Sequence, residues 1–461
     1  MNVDTHPTGR HTEHQADQTA GAAPHGPFAR IVATSLATGL GTALVLSLVV
    51  FAGHPEATIT GALLAGFALG WALIGLLSRR FTDRPQGWTA VPAVALGVTG
   101  LGLVAFTPEN GALTAMGWIW PAPMLALAVY VWLNARSDLP GRARWMLGPV
   151  VAVLALASVA ATYENVSVVR DQHTYSAPGT SYDVHGHRLY LDCRGEGSPT
   201  VVLDNGLGEV AASWARIVAQ VDSTTRVCAY DRAGQGWSED TSSAQDGITA
   251  AVDLRALLSM AGEHGPYVLV GHSIGGAYAL TYADQYPRQV AGMVLLDSSS
   301  PEQFTAIPSY AGQYAVVHRV MALTPTLNRL GLGRAVAAAT SSPLPTTAAG
   351  QVTALTASAH GARSASAEWQ VLPTLFTQAQ ALTTFGDRPL AVLTATESLQ
   401  KTGGWAAAQH HLAALSTRSI HQVVDSTHVG LLEDQHGSAA AVAAIDQVIA
   451  AARNRSTPAT R

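Results

Sequence analysis

A chain of 461 residues has room for two or three domains, and this one is 48% apolar but only 12% charged. Soluble chains carry about 25% charged residues, so part of this one avoids water. The net charge of −5 gives no basis for nucleic-acid binding, and two cysteines exclude a disulfide-dense scaffold or a four-cysteine zinc site.

Residues 1–28 are polar and hold His6, His11, His14 and His25. These histidines lack a regular ligand spacing, which favours a disordered cytoplasmic tail over a metal-binding one. Five apolar segments follow within 29–165, at about 31–52, 58–77, 89–106, 116–133 and 146–163. Each is long enough to cross a hydrocarbon core as a helix, and five in a row cannot be one cleaved signal peptide. Gly39, Gly41, Gly61, Gly66 and Gly70 suit close helix packing in lipid. Trp71, Trp88, Trp118, Trp120 and Trp132 fall mostly near segment ends, as an interfacial belt would. The segments are free of charges, so an anchor is expected rather than an ion pathway.

Loop charges set an orientation. The second loop carries Arg79, Arg80 and Arg84, and the fourth Arg136, Arg142 and Arg144, whereas the first and third hold only Glu56 and Glu109 as charges. Basic loops stay inside. The N-terminus is therefore expected in the cytoplasm and everything from about residue 164 onward outside it.

A linker is expected over 166–180, a soluble α/β domain over 181–453 and a disordered tail over 454–461. Strands are read at 181–184, 188–193, 200–204, 226–230, 267–270, 290–296, 390–394 and 419–424, and helices at 214–221, 248–262, 277–286 and 438–453. The first two strands flank His185-Gly186, a hairpin turn. Alternating strands and helices argue for a mostly parallel sheet covered on both faces. At the centre lies Gly271-His272-Ser273-Ile274-Gly275-Gly276, between an apolar strand and a helix stopped by Pro287. A serine flanked by glycines at a strand-to-helix turn is the nucleophile-elbow pattern, in which the hydroxyl is forced into the open.

Four stretches recur together in order: Asp204-Asn205-Gly206-Leu207-Gly208, Tyr230 to Ser238, Gly271 to Gly276, and Ser426-Thr427-His428. Residues 181–453, about 60% of the chain, thereby resemble the α/β-hydrolase superfamily. The resemblance implies an eight-stranded α/β-hydrolase fold with a helical cap at about 301–385, preceded here by a five-helix membrane region. It implies Ser273 as nucleophile and His428 as its base, since the base comes last in this fold. The acid is Asp297 or Glu397. The later strand usually supplies it, which favours Glu397, while the Asp297-Ser298-Ser299 turn tips the balance to Asp297. The oxyanion would be met by the backbone N–H groups of Leu207 and Ile274. His272 reads as structural, and the Asp231–Gly236 turn as scaffolding beside the site.

The expected activity is that of a membrane-anchored serine hydrolase, an esterase or lipase-like enzyme acting without a cofactor on a lipophilic ester. Phe304, Tyr310, Tyr314, Met321, Trp369 and Phe376 give the cap its apolar character, although packing on the core accounts for most such positions. A peptidase or acyltransferase of the same fold, and a non-catalytic extracytoplasmic binding domain, are the alternatives. In this fold Cys193 and Cys228 fall on neighbouring strands, where outside the cytoplasm they could form a disulfide; two buried thiols are the alternative.

Overall fold

The computed structural model describes Met1 and residues 26–139, 141–241 and 243–456. Of the tails expected at 1–28 and 454–461, residues 2–25, with all four N-terminal histidines, and 457–461 lie outside the described residues, whereas 26–28 and 454–456 are helical rather than disordered.

Eight strands form one sheet: β1 (Thr180–Val184), β2 (His187–Arg194), β3 (Val201–Asp204), β4 (Val227–Tyr230), β5 (Tyr267–His272), β6 (Val290–Leu296), β7 (Leu390–Ala395) and β8 (Ser419–Val424). Their spatial order is β1-β2-β4-β3-β5-β6-β7-β8. Only the β1–β2 and β2–β4 pairings are antiparallel; the other five are parallel. His185 and Gly186 both take positive φ (51° and 88°) at the β1–β2 turn, the twist that a tight hairpin requires.

Strands β3 to β7 are buried along their length, as near-continuous apolar runs in a doubly covered sheet must be. Because side chains alternate faces, each strand feeds two cores. Val202, Leu269, Met293 and Val392 pack with α8 (Gly247–Met260) and α9 (Gly275–Gln285). Val201, Val268, Val294 and Leu393 pack with α7 (Ala215–Val221) and the terminal helix Gln435–Ser456. Each fully buried aliphatic side chain contributes about 1.5–3 kcal/mol.

Between β6 and β7 the chain builds a helical cap. It comprises α10 (Gln303–Ala306), α11 (Tyr310–Met321), α12 (Thr324–Arg329), α13 (Leu332–Ala339), α14 (Thr346–Thr356) and α15 (Ala359–Ala379). After β7 come α16 (Thr396–Lys401) and α17 (Trp405–Ala414). Short α18 (Gly430–Glu433) and α19 (Gln435–Ser456) close the chain.

The N-terminal region comprises α1 (Gly26–Val45), α2 (Glu56–Phe81), α3 (Ala90–Phe106), α4 (Asn110–Ile119), α5 (Pro121–Asp138) and α6 (Gly141–Thr174). Four stretches are long and apolar enough to cross a membrane, or five when α4 and α5 count as one span bent by 48°. The bend falls inside the fourth expected segment. Pro121 there has no N–H for the helix ladder, and its ring crowds the preceding turn. Small residues let the helices touch: a Cβ on Gly66 would lie 2.4 Å from the Ala43 backbone, and one on Gly61 2.5 Å from the Gly100 carbonyl.

Two expectations need correction. Trp71 is buried inside the bundle, edge-on to Trp88 at 5.9 Å, rather than set in an interfacial belt. The linker expected over 166–180 is helical as far as Thr174. Asp171 within it, together with Glu164 just before it, binds Arg334 of α13, at 2.5 and 2.6 Å.

The C-terminal domain sits against one end of the bundle. Glu56, at the start of α2, pairs with Arg329 and, at 3.0 Å, with Arg363 of the cap. Asn110, at the start of α4, donates to Asp240 at 2.9 Å, and Thr60 meets Thr326 at 2.7 Å. The first and third inter-helix loops therefore lie on the side of the C-terminal domain.

Candidate active site

The turn after β5 is set by sterics. A Cβ on Gly271 would lie 2.5 Å from the Gly276 nitrogen, and one on Gly275 2.2 Å from the Asp204 carbonyl oxygen. Both approaches are too close for any larger residue. Between them Ser273 adopts φ +53°, a left-handed conformation that costs a non-glycine residue about 1–3 kcal/mol. Its backbone is pinned to the strand beyond: Ser273 N–H donates to the Leu296 carbonyl (3.2 Å), and Ser299 N–H donates to the Ser273 carbonyl (2.9 Å). The Ser273 hydroxyl is not engaged by a protein group among the described residues, and it is partly exposed.

One strand over, Asp297 follows β6, again with positive φ (+42°). Its carboxylate is buried and fully engaged. It accepts hydrogen bonds from His428 Nδ1 (2.6 Å), Ser398 Oγ (2.5 Å), Trp405 Nε1 (2.7 Å) and the Ala395 N–H (3.2 Å). Burial pushes this carboxyl up, but the bonds and charge from His428, with Ser398 and Trp405, hold it below the ordinary carboxylate value. His428 follows β8, and its side chain is about one-third exposed. With Nδ1 donating to Asp297, neutral His428 keeps its lone pair on Nε2, the nitrogen a base would use.

Of the two candidate acids, Asp297 meets the imidazole. Glu397 does not: its carboxylate accepts from the His428 backbone N–H (2.8 Å) and from Lys401 Nζ (2.5 Å). Glu397 sits in the first turn of α16, and from there it ties down the main chain of the histidine loop. The Leu207 and Ile274 N–H groups have no acceptor among the described residues. The amides flanking Leu207 are taken: Gly206 N–H donates to Glu209 Oε2 (2.6 Å) and Gly208 N–H to Glu368 Oε2 (3.0 Å).

The surroundings hold two groups of buried charge. Arg232, 2% exposed, binds Asp204 and, at 2.6 Å, Glu368, with its guanidinium 4.2 Å over the Tyr278 ring. Burial pushes Asp204 up to about 6, with Arg232 opposing it. Asp231, likewise lifted to about 6 by burial, accepts from the Ala211 and Trp237 N–H groups, so this turn is scaffold. His272 is fully buried. Its Nδ1 lies 2.7 Å from Glu209 Oε1, and its Nε2 donates to the His428 carbonyl at 3.0 Å. Burial opposes a charge on His272, yet the Glu209 carboxylate raises its pKa, and Glu209 is lowered in turn.

Sequence reading left out Glu209 and Glu368. Glu368 is 160 residues from its partner Gly208, and nothing local marks either residue. For metals, the group within reach of one ion among the described residues is Cys193, Cys228 and Glu263. The two cysteines face each other across β2 and β4 with their sulfurs bonded at 2.06 Å, which removes both thiolates as ligands.

The strand order, the strained serine after β5, the histidine after β8 and the cap after β6 define the architecture. Residues 180–456 adopt the α/β-hydrolase fold. The α/β hydrolase fold family model matches residues 199–322, which hold the elbow and the start of the cap. Among solved structures, Cfl2 from Burkholderia cenocepacia superposes with a TM-score of 0.50 at 21% identity, over 59% of this chain and 95% of that one. Among curated proteins, the uncharacterized protein YbdG of Bacillus subtilis is 27% identical over 158 residues, 34% of this chain and 49% of its own. A 2-hydroxy-6-oxononadienedioate/2-hydroxy-6-oxononatrienedioate hydrolase of Paraburkholderia phymatum is 34% identical over 131 residues, 26% of this chain and 44% of its own. The chain thus spans about half or less of these curated relatives. What is similar is the hydrolase domain.

Proposed function

We propose that this chain is a membrane-anchored serine hydrolase that cleaves lipophilic carboxylic esters on the extracytoplasmic side. The observation that carries this reading is the buried Asp297 bonded to His428 Nδ1 at 2.6 Å, on the same sheet edge as the strained Ser273.

In this reading the Ser273 hydroxyl attacks the ester carbonyl carbon and passes its proton to His428 Nε2. Asp297 fixes the tautomer and stabilises the imidazolium. The carbonyl oxygen becomes an oxyanion facing the Leu207 and Ile274 N–H groups. Collapse breaks the bond to the alkoxy group, which leaves as alcohol with the proton from His428. Water then repeats the sequence on the acyl-serine, and the acid is released. Phe304, Tyr314 and Trp369 of the cap, half-buried against the core, favour an apolar acyl or alcohol group. Much of their surface is already spent on one another, as in the stacked Tyr314–Trp369 pair at 5.6 Å.

The sidedness rests on three supports. The hydrolase domain lies beside the first and third loops, while Arg79, Arg80, Arg84, Arg136 and Arg144 belong to the second and fourth loops, which basic residues keep inside. The bonded Cys193–Cys228 pair suits an oxidising compartment. The spans carry no chemistry of their own in this reading and serve as an anchor.

The test is hydrolysis of p-nitrophenyl esters of increasing chain length by the full chain in detergent. Turnover that rises with acyl length and disappears in Ser273→Ala is expected; turnover retained by Ser273→Ala would refute the reading.

A further inference from the structure

Three successive amides follow β3, at Gly206, Leu207 and Gly208. A carboxylate takes the first and the third: Glu209 accepts from Gly206 N–H at 2.6 Å and Glu368 from Gly208 N–H at 3.0 Å. Leu207 N–H, between them, is left without an acceptor among the described residues. We propose that Glu209 and Glu368 are positioning residues that fix the two peptide planes around Leu207, so that the loop offers one oriented N–H to the oxyanion. This rests on the serine-hydrolase reading and adds two residues to it.

The two carboxylates reach the loop from opposite sides. Glu209 belongs to the loop itself and leans on His272, directly before the nucleophile. Glu368 comes from α15 of the cap. One turn earlier on that helix Ala365 lies 3.2 Å from where a Cβ on Gly208 would stand, and Gly208 has φ +66°. Cap and loop are therefore in contact, and Gly208 is suited both to the backbone conformation and to the close approach.

An unpaired carboxylate this near a developing oxyanion would raise the barrier, because like charges repel strongly at low dielectric. Each glutamate instead faces a buried basic side chain. Glu368 Oε1 accepts from Arg232 Nε (3.1 Å) and Nη2 (2.6 Å) and from Gln235 Nε2 (2.7 Å). Glu209 faces His272: its Oε1 lies 2.7 Å from His272 Nδ1, while His272 Nε2 donates to the His428 carbonyl at 3.0 Å. Burial disfavours a charge on His272, and the Glu209 carboxylate beside it favours one. The other titratable groups facing this pair are His428, Asp297 and Glu433. The same strut thus links the oxyanion loop, the elbow and the histidine loop.

The test compares wild type, Glu368→Ala, Glu368→Gln and Glu209→Gln as full chains in detergent. Active sites are counted by fluorophosphonate titration; kcat and KM are measured on one p-nitrophenyl ester, and Ki on an alkyl boronic acid that forms a tetrahedral serine adduct. Displacing a positioned group by about 1 Å can cost about 10²-fold. Glu368→Ala is expected to lose kcat per titrated site on that scale with KM little changed, and its boronate Ki should rise in step. Glu368→Gln, which keeps an acceptor for Gly208, should recover much of the loss. Glu209→Gln also keeps its acceptor but removes the carboxylate charge facing His272, and should shift the kcat–pH profile. Unchanged kcat and Ki in both Glu368 variants would overturn the proposal, as would a loss explained entirely by fewer titratable sites. If Glu368→Ala does not fold, wild-type kcat, Ki and pH profile in both glutamine variants would overturn it. Wild type that takes no fluorophosphonate would instead overturn the serine-hydrolase reading beneath it.

Discussion

At the scale of single residues, Asp297, His428 and Ser273 carry the proposed chemistry. Asp297 is buried with four donors around it, so Asp297→Asn removes the partner of the imidazole and permits the wrong tautomer. A loss of about 10⁴-fold in kcat is expected. Glu397→Gln should lose far less, because an amide oxygen can still accept from the His428 N–H; esterase assays of the two variants side by side check this. The pH dependence has a defined sign. Asp297 titrates below the ordinary carboxylate value, so its contribution to stability is present above that ordinary value and is lost as pH falls through the depressed one. Thermal unfolding followed against pH should show a shallower acid decline in Asp297→Asn than in wild type. Sequence pointed to Ser273 and His428 because each sits in a local motif. It favoured Asp297 over Glu397 only narrowly, because both follow strands at the same sheet edge and only side-chain direction separates them.

At the scale of elements, the strands match their expected ranges closely, since β3 to β7 are short apolar runs punctuated by turns. The helices of the membrane region were harder to delimit. Apolar composition alone does not register the break at Trp120-Pro121 or the continuation of α6 to Thr174, which depends on partners in the distant α13. The docking of cap on bundle was invisible for the same reason. Glu56, with a side chain 1% exposed, lies against both Arg329 and Arg363. Removing one member of a buried pair costs about 3–5 kcal/mol. Glu56→Ala is therefore expected to loosen the cap from the bundle, read as faster proteolysis within 303–379 and a lower melting temperature; wild-type behaviour in both would contradict this contact.

At the scale of the whole molecule, a bundle of apolar helices holds a domain of α/β-hydrolase fold at the end marked by its non-basic loops. The proposed sidedness predicts that Lys401→Cys reacts with an impermeant maleimide on intact cells, whereas Arg80→Cys reacts only after permeabilisation. It also predicts that mass spectrometry without reductant finds Cys193 and Cys228 joined, and free thiols in the membrane-inserted protein would count against it. The long apolar helices and the fold could be read from composition and motif order. The two glutamates around Leu207 could not, because the carboxylate that reaches Gly208 belongs to a cap helix far along the chain.

The central claim is that Ser273 is an activated nucleophile. The most direct measurement is fluorophosphonate labelling of the folded full chain, followed by peptide mass spectrometry. The account predicts one adduct, on Ser273, absent from Ser273→Ala and greatly slowed in Asp297→Asn. No adduct on folded wild type, or an adduct on another residue that persists in Ser273→Ala, would contradict it.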